Sequence, residues 1–168
     1  MNSISLRRLA RRALFAVLWL ALALALVFGA GLRFNPTPSL PKGVYRIVSG
    51  APEKNDFVSF CLEGEFAELA LERGYLEPGS CRSGLRPLLK RLAALPGDSV
   101  DPYSLPICAV DSHGRPMSPA LASGVVPPGM ALVLADHPGS FDSRYFGFVP
   151  LESLQRVKPV FLFNPKGK

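Results

Sequence analysis

The sequence predicts a mainly β fold: an antiparallel β domain carried behind one N-terminal transmembrane helix, with a small helical insertion. Three observations predict it. Ala13 to Leu32 forms a 20-residue run with neither a charge nor a proline. Across the 168 residues, 17 prolines and 15 glycines, nearly all beyond that run, cut the chain into short β-prone segments. A single stretch, Glu65 to Arg73, breaks the β pattern with helical spacing.

The run from Ala13 to Leu32 would span about 30 Å as a helix, the thickness of a bilayer's hydrocarbon core. Arg7, Arg8, Arg11 and Arg12 lie just ahead of it, so the positive-inside rule keeps residues 1–12 in the cytoplasm and exports residues 33–168. A cleavable secretory signal also begins with arginines. Its apolar region is shorter, about 7 to 15 residues, and the best small-residue stretch, Phe28-Gly29-Ala30, sets a bulky Phe at the −3 position. An uncleaved anchor over 13–32 is therefore the expectation.

This division explains the charge. The chain carries a net +6 with a pI near 9.5, which on its own suggests a polyanion binder. Five arginines (7, 8, 11, 12 and 33) account for most of it, leaving 14 basic against 13 acidic residues, or +1, over the rest. Nucleic acid is not an expected partner. A composition 48% hydrophobic and 19% charged also excludes a disordered chain and leaves room for one modest domain.

In the exported part, strands are expected at Gly43–Val48, Phe57–Cys61, Leu88–Ala93, Ser99–Val100, Ala131–Ala135 and Val157–Phe163. Phe66, Leu69 and Ala70 recur at helical spacing within EFAELALER, so Glu65–Arg73 reads as a surface helix between two strands. Of three cysteines, Cys61 and Cys81 would bracket this helix with a disulfide in an oxidising compartment, inside an insertion over 61–87. Cys108 is then left over. No CxxC occurs and the two histidines are far apart in sequence, so no metal and no cofactor is expected.

His113 and His137 both sit in turn compositions and are poor candidates for a catalytic base. A lysine can replace histidine if burial removes its charge. Lys90, in PLLKRLAALPGD, would share a strand face with Leu88 and Leu92. The same residue also fits an edge-strand lysine kept for solubility. The candidate nucleophile is Ser39, in NPTPSLPKGVY, where prolines 36, 38 and 41 restrict the backbone. Read alone, that segment is equally a proline-rich linker; its closeness to the anchor would place Ser39 near the membrane surface. A third segment, residues 136–150, gathers Ser140, Asp142, Ser143 and Arg144 ahead of Tyr145 and Phe146. It reads as a polar turn leading into an aromatic strand, or as a shell that orients a lysine and locks a loop through an Asp-Arg pair.

Together and in this order, these segments resemble the type I signal peptidases of the serine-lysine class, most closely the conjugative-transfer (TraF-type) peptidases. The nucleophile box N-x-T-x-S-x-P-x-G-x-Y is matched by Asn35, Thr37, Ser39, Pro41, Gly43 and Tyr45. Residues 54–60 (KNDFVSF), 90–98 (KRLAALPGD) and 142–147 (DSRYFG) resemble the boxes that follow. The resemblance implies a signal-peptidase-like β domain with Ser39 as nucleophile and Lys90 as general base. It also implies an oxyanion hole from the Ser39 N–H and the Thr37 hydroxyl, Ser140 hydrogen-bonded to the lysine, and Asp142 with Arg144 as a structural ion pair. Where leader peptidases carry Ser-Met and then Pro-Thr, Leu40, Pro41, Lys42 and Gly43 stand here, and the last box opens Ala135-Asp136-His137 rather than Gly-Asp-Asn. The role of Asp136 stays open.

The implied function is a membrane-anchored serine endopeptidase of the bacterial inner membrane, its active site periplasmic, maturing a conjugative pilin precursor by hydrolysis or by cyclisation. Its expected partners are that pilin or another signal-peptide-bearing precursor, the inner membrane, and components of a conjugative type IV secretion system. Two other readings stand beside it: a general type I signal peptidase, and a non-catalytic anchored protein that assists assembly of a secretion system.

Overall fold

The computed structural model describes residues 3–29 and 31–163, with the side chains of 3–6, 24 and 26–28 outside that description. The chain divides into two units, Met1–Arg33 and Phe34–Lys168.

In the first unit, α1 (Ser3–Gly29) is an unbroken 27-residue helix. It starts ten residues before the apolar run, because the arginines, leucine and alanine of RRLARR are all strong helix formers. It also ends before the run does: Gly31, at φ +65°, takes a conformation that favours glycine, and Leu32 already lies in a strand. The described apolar side chains of α1 are exposed, Trp19 at 69%. Among the described residues no helix is long and apolar enough to cross a membrane. An anchor over 13–32 therefore rests on the sequence. The side chain of Phe28 and all of Ala30, on which the reading of a leader cleavage site turned, lie outside the described residues.

The second unit is built on antiparallel β structure. From Leu32 onward the elements run β1 (Leu32–Asn35), β2 (Gly43–Ile47), β3 (Phe57–Phe60), α2 (Glu65–Glu72), β4 (Leu88–Ala94), β5 (Ser99–Val100), β6 (Gly124–Val125), β7 (Met130–Leu134), α3 (Ser143–Phe146), β8 (Val149–Pro150) and β9 (Gln155–Leu162). Seven strands form one sheet in the order β1-β2-β9-β3-β4-β7-β8, and β5 pairs with β6 apart from it. The final strand thus enters the middle of the sheet, pairing antiparallel with β2 on one side and β3 on the other. Gly43 shows how tight that approach is: a Cβ there would collide with the Phe161 carbonyl of β9.

β4 is the strand that matters most for the site. It pairs with β3, Val58 opposite Lys90, and with β7, Leu92 opposite Val133. Strand alternation turns Leu88 and Leu92 into the larger core, with Val58, Val133 and Phe146, and Leu89 into a smaller one with Leu40, Tyr45 and Val157. Lys90 shares the face of Leu88 and Leu92 and is 3% exposed, so an edge-strand lysine kept for solubility is excluded.

Residues 61–87 leave the sheet between β3 and β4. There Cys61 and Cys81 are bonded, with their Cα atoms 5.6 Å apart. Helix α2 buries Ala67 and Ala70 and leaves Leu71 exposed. The aromatic strand expected after residue 144 is instead the single helical turn α3. The Asp142 side chain caps it by accepting the Arg144 N–H, which commits the backbone to a helix start that the aromatic composition does not reveal. Strands β1, β6 and β8 were not expected; β6 lies just ahead of Pro127 and Pro128, and β8 ends in Pro150.

Candidate functional site

The loop joining β1 to β2, residues 36–42, contains three prolines and so has few backbone donors with which to fix itself. Asn35, buried at the end of β1, compensates. Its Nδ2 donates to the carbonyls of Leu40 at 3.1 Å and Pro41 at 3.3 Å. Its Oδ1 accepts from the Thr37 N–H at 3.3 Å and the Thr37 hydroxyl at 2.9 Å. The Thr37 and Ser39 hydroxyls lie 2.9 Å apart. Leu40 drops into the smaller core, and the Tyr45 hydroxyl donates to the Pro41 carbonyl at 2.5 Å, so the loop is pinned on both sides of Ser39. A proline-rich linker leading away from a membrane would not be tied down in this way.

Ser39, Thr37, Lys90 and Ser140 line one cavity of about 440 Å³, with Tyr75, Leu88, Met117 and Phe141 among its apolar walls. Burial pushes the Lys90 ammonium down to about 8; the Asp142 carboxylate opposes that shift and the Arg144 guanidinium adds to it. Lys90 is therefore held well below the usual lysine range. Among the described residues, no hydrogen bond joins Lys90 to Ser39 or to Ser140; the Ser140 N–H donates to the His137 carbonyl. His113 lines the cavity but is exposed, and His137 is an exposed turn residue whose Nδ1 accepts the Gly139 N–H.

Asp142 and Arg144 form a buried, bidentate ion pair, with Nη2 to Oδ2 at 2.5 Å and Nε to Oδ1 at 2.8 Å. Nη1 also donates to the Pro106 carbonyl and Nη2 to that of His137. Asp142 also accepts the Ala135 N–H, and the Ser143 hydroxyl accepts the Val133 N–H, so this turn is bolted to β7 and the residue that follows it.

Asp136, whose role the sequence left open, has two attachments. Its N–H donates to the Ser39 carbonyl at 2.8 Å, and its carboxylate pairs with Arg91 of β4, next to Lys90, at 3.1 Å. The Arg91 guanidinium also lies over the Phe57 ring, 4.6 Å from its centre. Sequence reasoning missed the roles of Arg91 and Asn35. The signal for Asn35 was a lone amide beside a loop that prolines had stripped of donors.

A family model described as signal peptidase, peptidase S26, matches residues 6–108 and 108–161. The conjugal transfer protein TraF of Agrobacterium fabrum is 39% identical over 163 residues, covering 87% of this chain and 92% of its own. A plasmid transfer protein TraF of Escherichia coli is 34% identical over 174 residues, covering 92% and 96%. A probable conjugal transfer protein TraF of Sinorhizobium fredii is 38% identical over 134 residues, 71% of each chain.

Proposed function

The chain belongs to the signal peptidase S26 family, and from that premise we propose a membrane-anchored serine endopeptidase with Ser39 as nucleophile and Lys90 as general base. The observation that carries the proposal is the placement of Lys90: a lysine 3% exposed, with its pKa lowered to about 8, lines the same cavity as Ser39. A non-catalytic assembly protein would gain nothing from burying that ammonium, which is costly.

In this mechanism an extended precursor adds as a strand, with small side chains flanking the scissile bond. Neutral Lys90 takes the Ser39 hydroxyl proton as Oγ bonds to the scissile carbonyl carbon. The oxyanion is met by the Ser39 N–H and the Thr37 hydroxyl. Lys90 then gives its proton to the leaving amine as the C–N bond breaks, leaving an ester on Ser39. Water resolves the ester to a free acid, or the N-terminal amine of the chain still held on Ser39 attacks the ester carbonyl, freeing the serine hydroxyl and closing a cyclic amide. Asp142 and Arg144 hold the wall beside Lys90, and Ser140, which lines the same cavity, is the hydroxyl proposed to orient it.

The substrate proposed is a pilin precursor of a conjugative system, a reading favoured by relatives named for conjugal and plasmid transfer. Such an enzyme would work alongside a conjugative secretion apparatus in the inner membrane. For the anchor, support comes from the 20-residue uncharged run, the four arginines ahead of it, and the apolar side chains exposed along α1. That orientation puts the β domain in the periplasm, where the Cys61–Cys81 bond is at home.

Co-expression with a candidate pilin precursor tests the function through product mass. Wild type should shorten the precursor, while Ser39→Ala and Lys90→Ala should leave it whole. Processing by both variants would refute the dyad. A product one water lighter than the linear mature chain indicates cyclisation. A reporter fused after residue 168 that is active only in the cytoplasm would overturn the orientation.

A further inference from the structure

We infer that Asn35 is the positioning residue for Ser39, setting both the path of the nucleophile loop and the direction of its hydroxyl hydrogen bonds; the inference rests on the assignment of Ser39 as nucleophile. An asparagine side chain has two donor hydrogens and an oxygen that takes two bonds. Asn35 is 3% exposed and uses all four: Leu40 and Pro41 carbonyls on one side, the Thr37 N–H and hydroxyl on the other. These partners flank Ser39 in sequence, so one side chain closes a ring around it. No alternative closure is at hand in the backbone, because Pro36, Pro38 and Pro41 have no N–H to offer.

The amide orientation is fixed by its partners, since the flipped amide would set Oδ1 against two carbonyl oxygens. Oδ1 only accepts, so the Thr37 hydroxyl commits its single hydrogen to Asn35. In the 2.9 Å contact between the two hydroxyls, Ser39 must then be the donor and Thr37 the acceptor. The resting site therefore holds the Ser39 proton on Thr37. When Ser39 gives that proton to Lys90, Thr37 loses the incoming bond; to meet the developing oxyanion its hydroxyl must turn its hydrogen off Asn35 Oδ1, while the Thr37 N–H stays on Asn35 and keeps the residue in place. Asn35 thus acts on the reaction through Thr37 and through the loop, without touching substrate.

The test uses the full chain in detergent, with a quenched-fluorescent peptide bearing Ala at −3 and −1, the small-residue site of secretory signals. Asn35→Ala should lower kcat about 100-fold, the scale of a small misplacement of a reacting group, with KM within about threefold. Asn35→Asp, nearly the same size, keeps the acceptors for Thr37 but loses both donors, and should be similarly impaired. A merely structural role would reduce the folded fraction and leave kcat per folded molecule unchanged. Activity-independent support comes from hydrogen exchange at the Asp136 amide, which bonds the Ser39 carbonyl: it should speed up at least about tenfold in both variants. Unchanged kcat with unchanged Asp136 exchange overturns the inference, as does full activity in Asn35→Asp. Ser39→Ala separates the two readings. If it still cleaves, the nucleophile is misassigned, and Asp136 exchange alone decides whether Asn35 holds the loop.

Discussion

The Asp136 amide donates to the Ser39 carbonyl at 2.8 Å, and this bond ties the loop that carries the nucleophile to the second residue beyond β7. The Asp136 carboxylate reaches Arg91, the neighbour of Lys90 in β4. The loop and the lysine strand are thus referred to one shared residue. The ion pair is solvent-accessible, its side chains 35% and 43% exposed, and is worth about 0 to 1 kcal/mol. The backbone bond is the stronger constraint on position.

That ranking separates two substitutions at one site. Asp136→Asn keeps the N–H and should cost less than about 1 kcal/mol in urea unfolding, with most activity retained. Asp136→Pro removes the N–H and should cost about 1 to 3 kcal/mol and most of the cleavage rate. Equal effects from the two would assign the role to the carboxylate.

Lys90 sets the pH dependence of cleavage. Its conjugate acid loses a proton near 8, well below the usual lysine value of 10.5, because burial disfavours the charge. The base is neutral above that pH, so kcat/KM should rise with pH along a limb centred near 8 and then level off. A limb near 10.5 would mean that Lys90 is solvated in the working enzyme.

The same burial carries a cost in stability with a defined sign. Between about 8 and 10.5 the unfolded chain binds more protons at Lys90 than the folded one, so stability rises with pH across that window. Below it the folded state bears the full penalty, up to about 3 kcal/mol at 1.36 kcal/mol per unit. Lys90→Met should therefore stabilise the fold by up to about 3 kcal/mol at pH 7, and the gain should vanish as pH approaches 10.5. The measurement is urea unfolding of both proteins across that range.

The Cys61–Cys81 bond closes a loop with a sequence separation of 20. Chain-entropy reasoning assigns such a closure about 3 kcal/mol. Cys61→Ser with Cys81→Ser should lose about that much in urea unfolding, and reductant should reproduce the loss in wild type but not in the variant. Cys108, half-buried and outside this loop, should not contribute.

Much of this architecture was legible in the sequence, for identifiable reasons. GVYRIV, FVSF and LLKRLAA each concentrate β-branched, aromatic or leucine residues between turn formers, and each holds a strand. Lys90 was only half legible: strand alternation ties it to Leu88 and Leu92, but an edge-strand lysine fitted equally well until the pairing of β4 on both sides showed it buried. β1, β6 and β8 were not: LRFN runs on from the apolar segment, GV precedes two prolines and VP ends in one, so only the partners that tertiary structure brings them mark these as strands. SRYF has strand-like aromatics, yet the Asp142 cap and its bond to Arg144 turn it into α3. Asn35 was visible as a letter of a motif, but its function depends on carbonyls five and six residues away that meet it only once the loop is closed.

The most direct test of the central claim is covalent. Wild type is mixed with excess cleavable peptide, quenched in acid within the first turnover, digested, and read by mass spectrometry. With Ser39 as nucleophile and Lys90 as base, the adduct equals the peptide's N-terminal fragment less one water, sits on the fragment of the enzyme that contains Ser39, and is absent in Lys90→Ala. An adduct on another residue, or continued cleavage by Ser39→Ala, would contradict it.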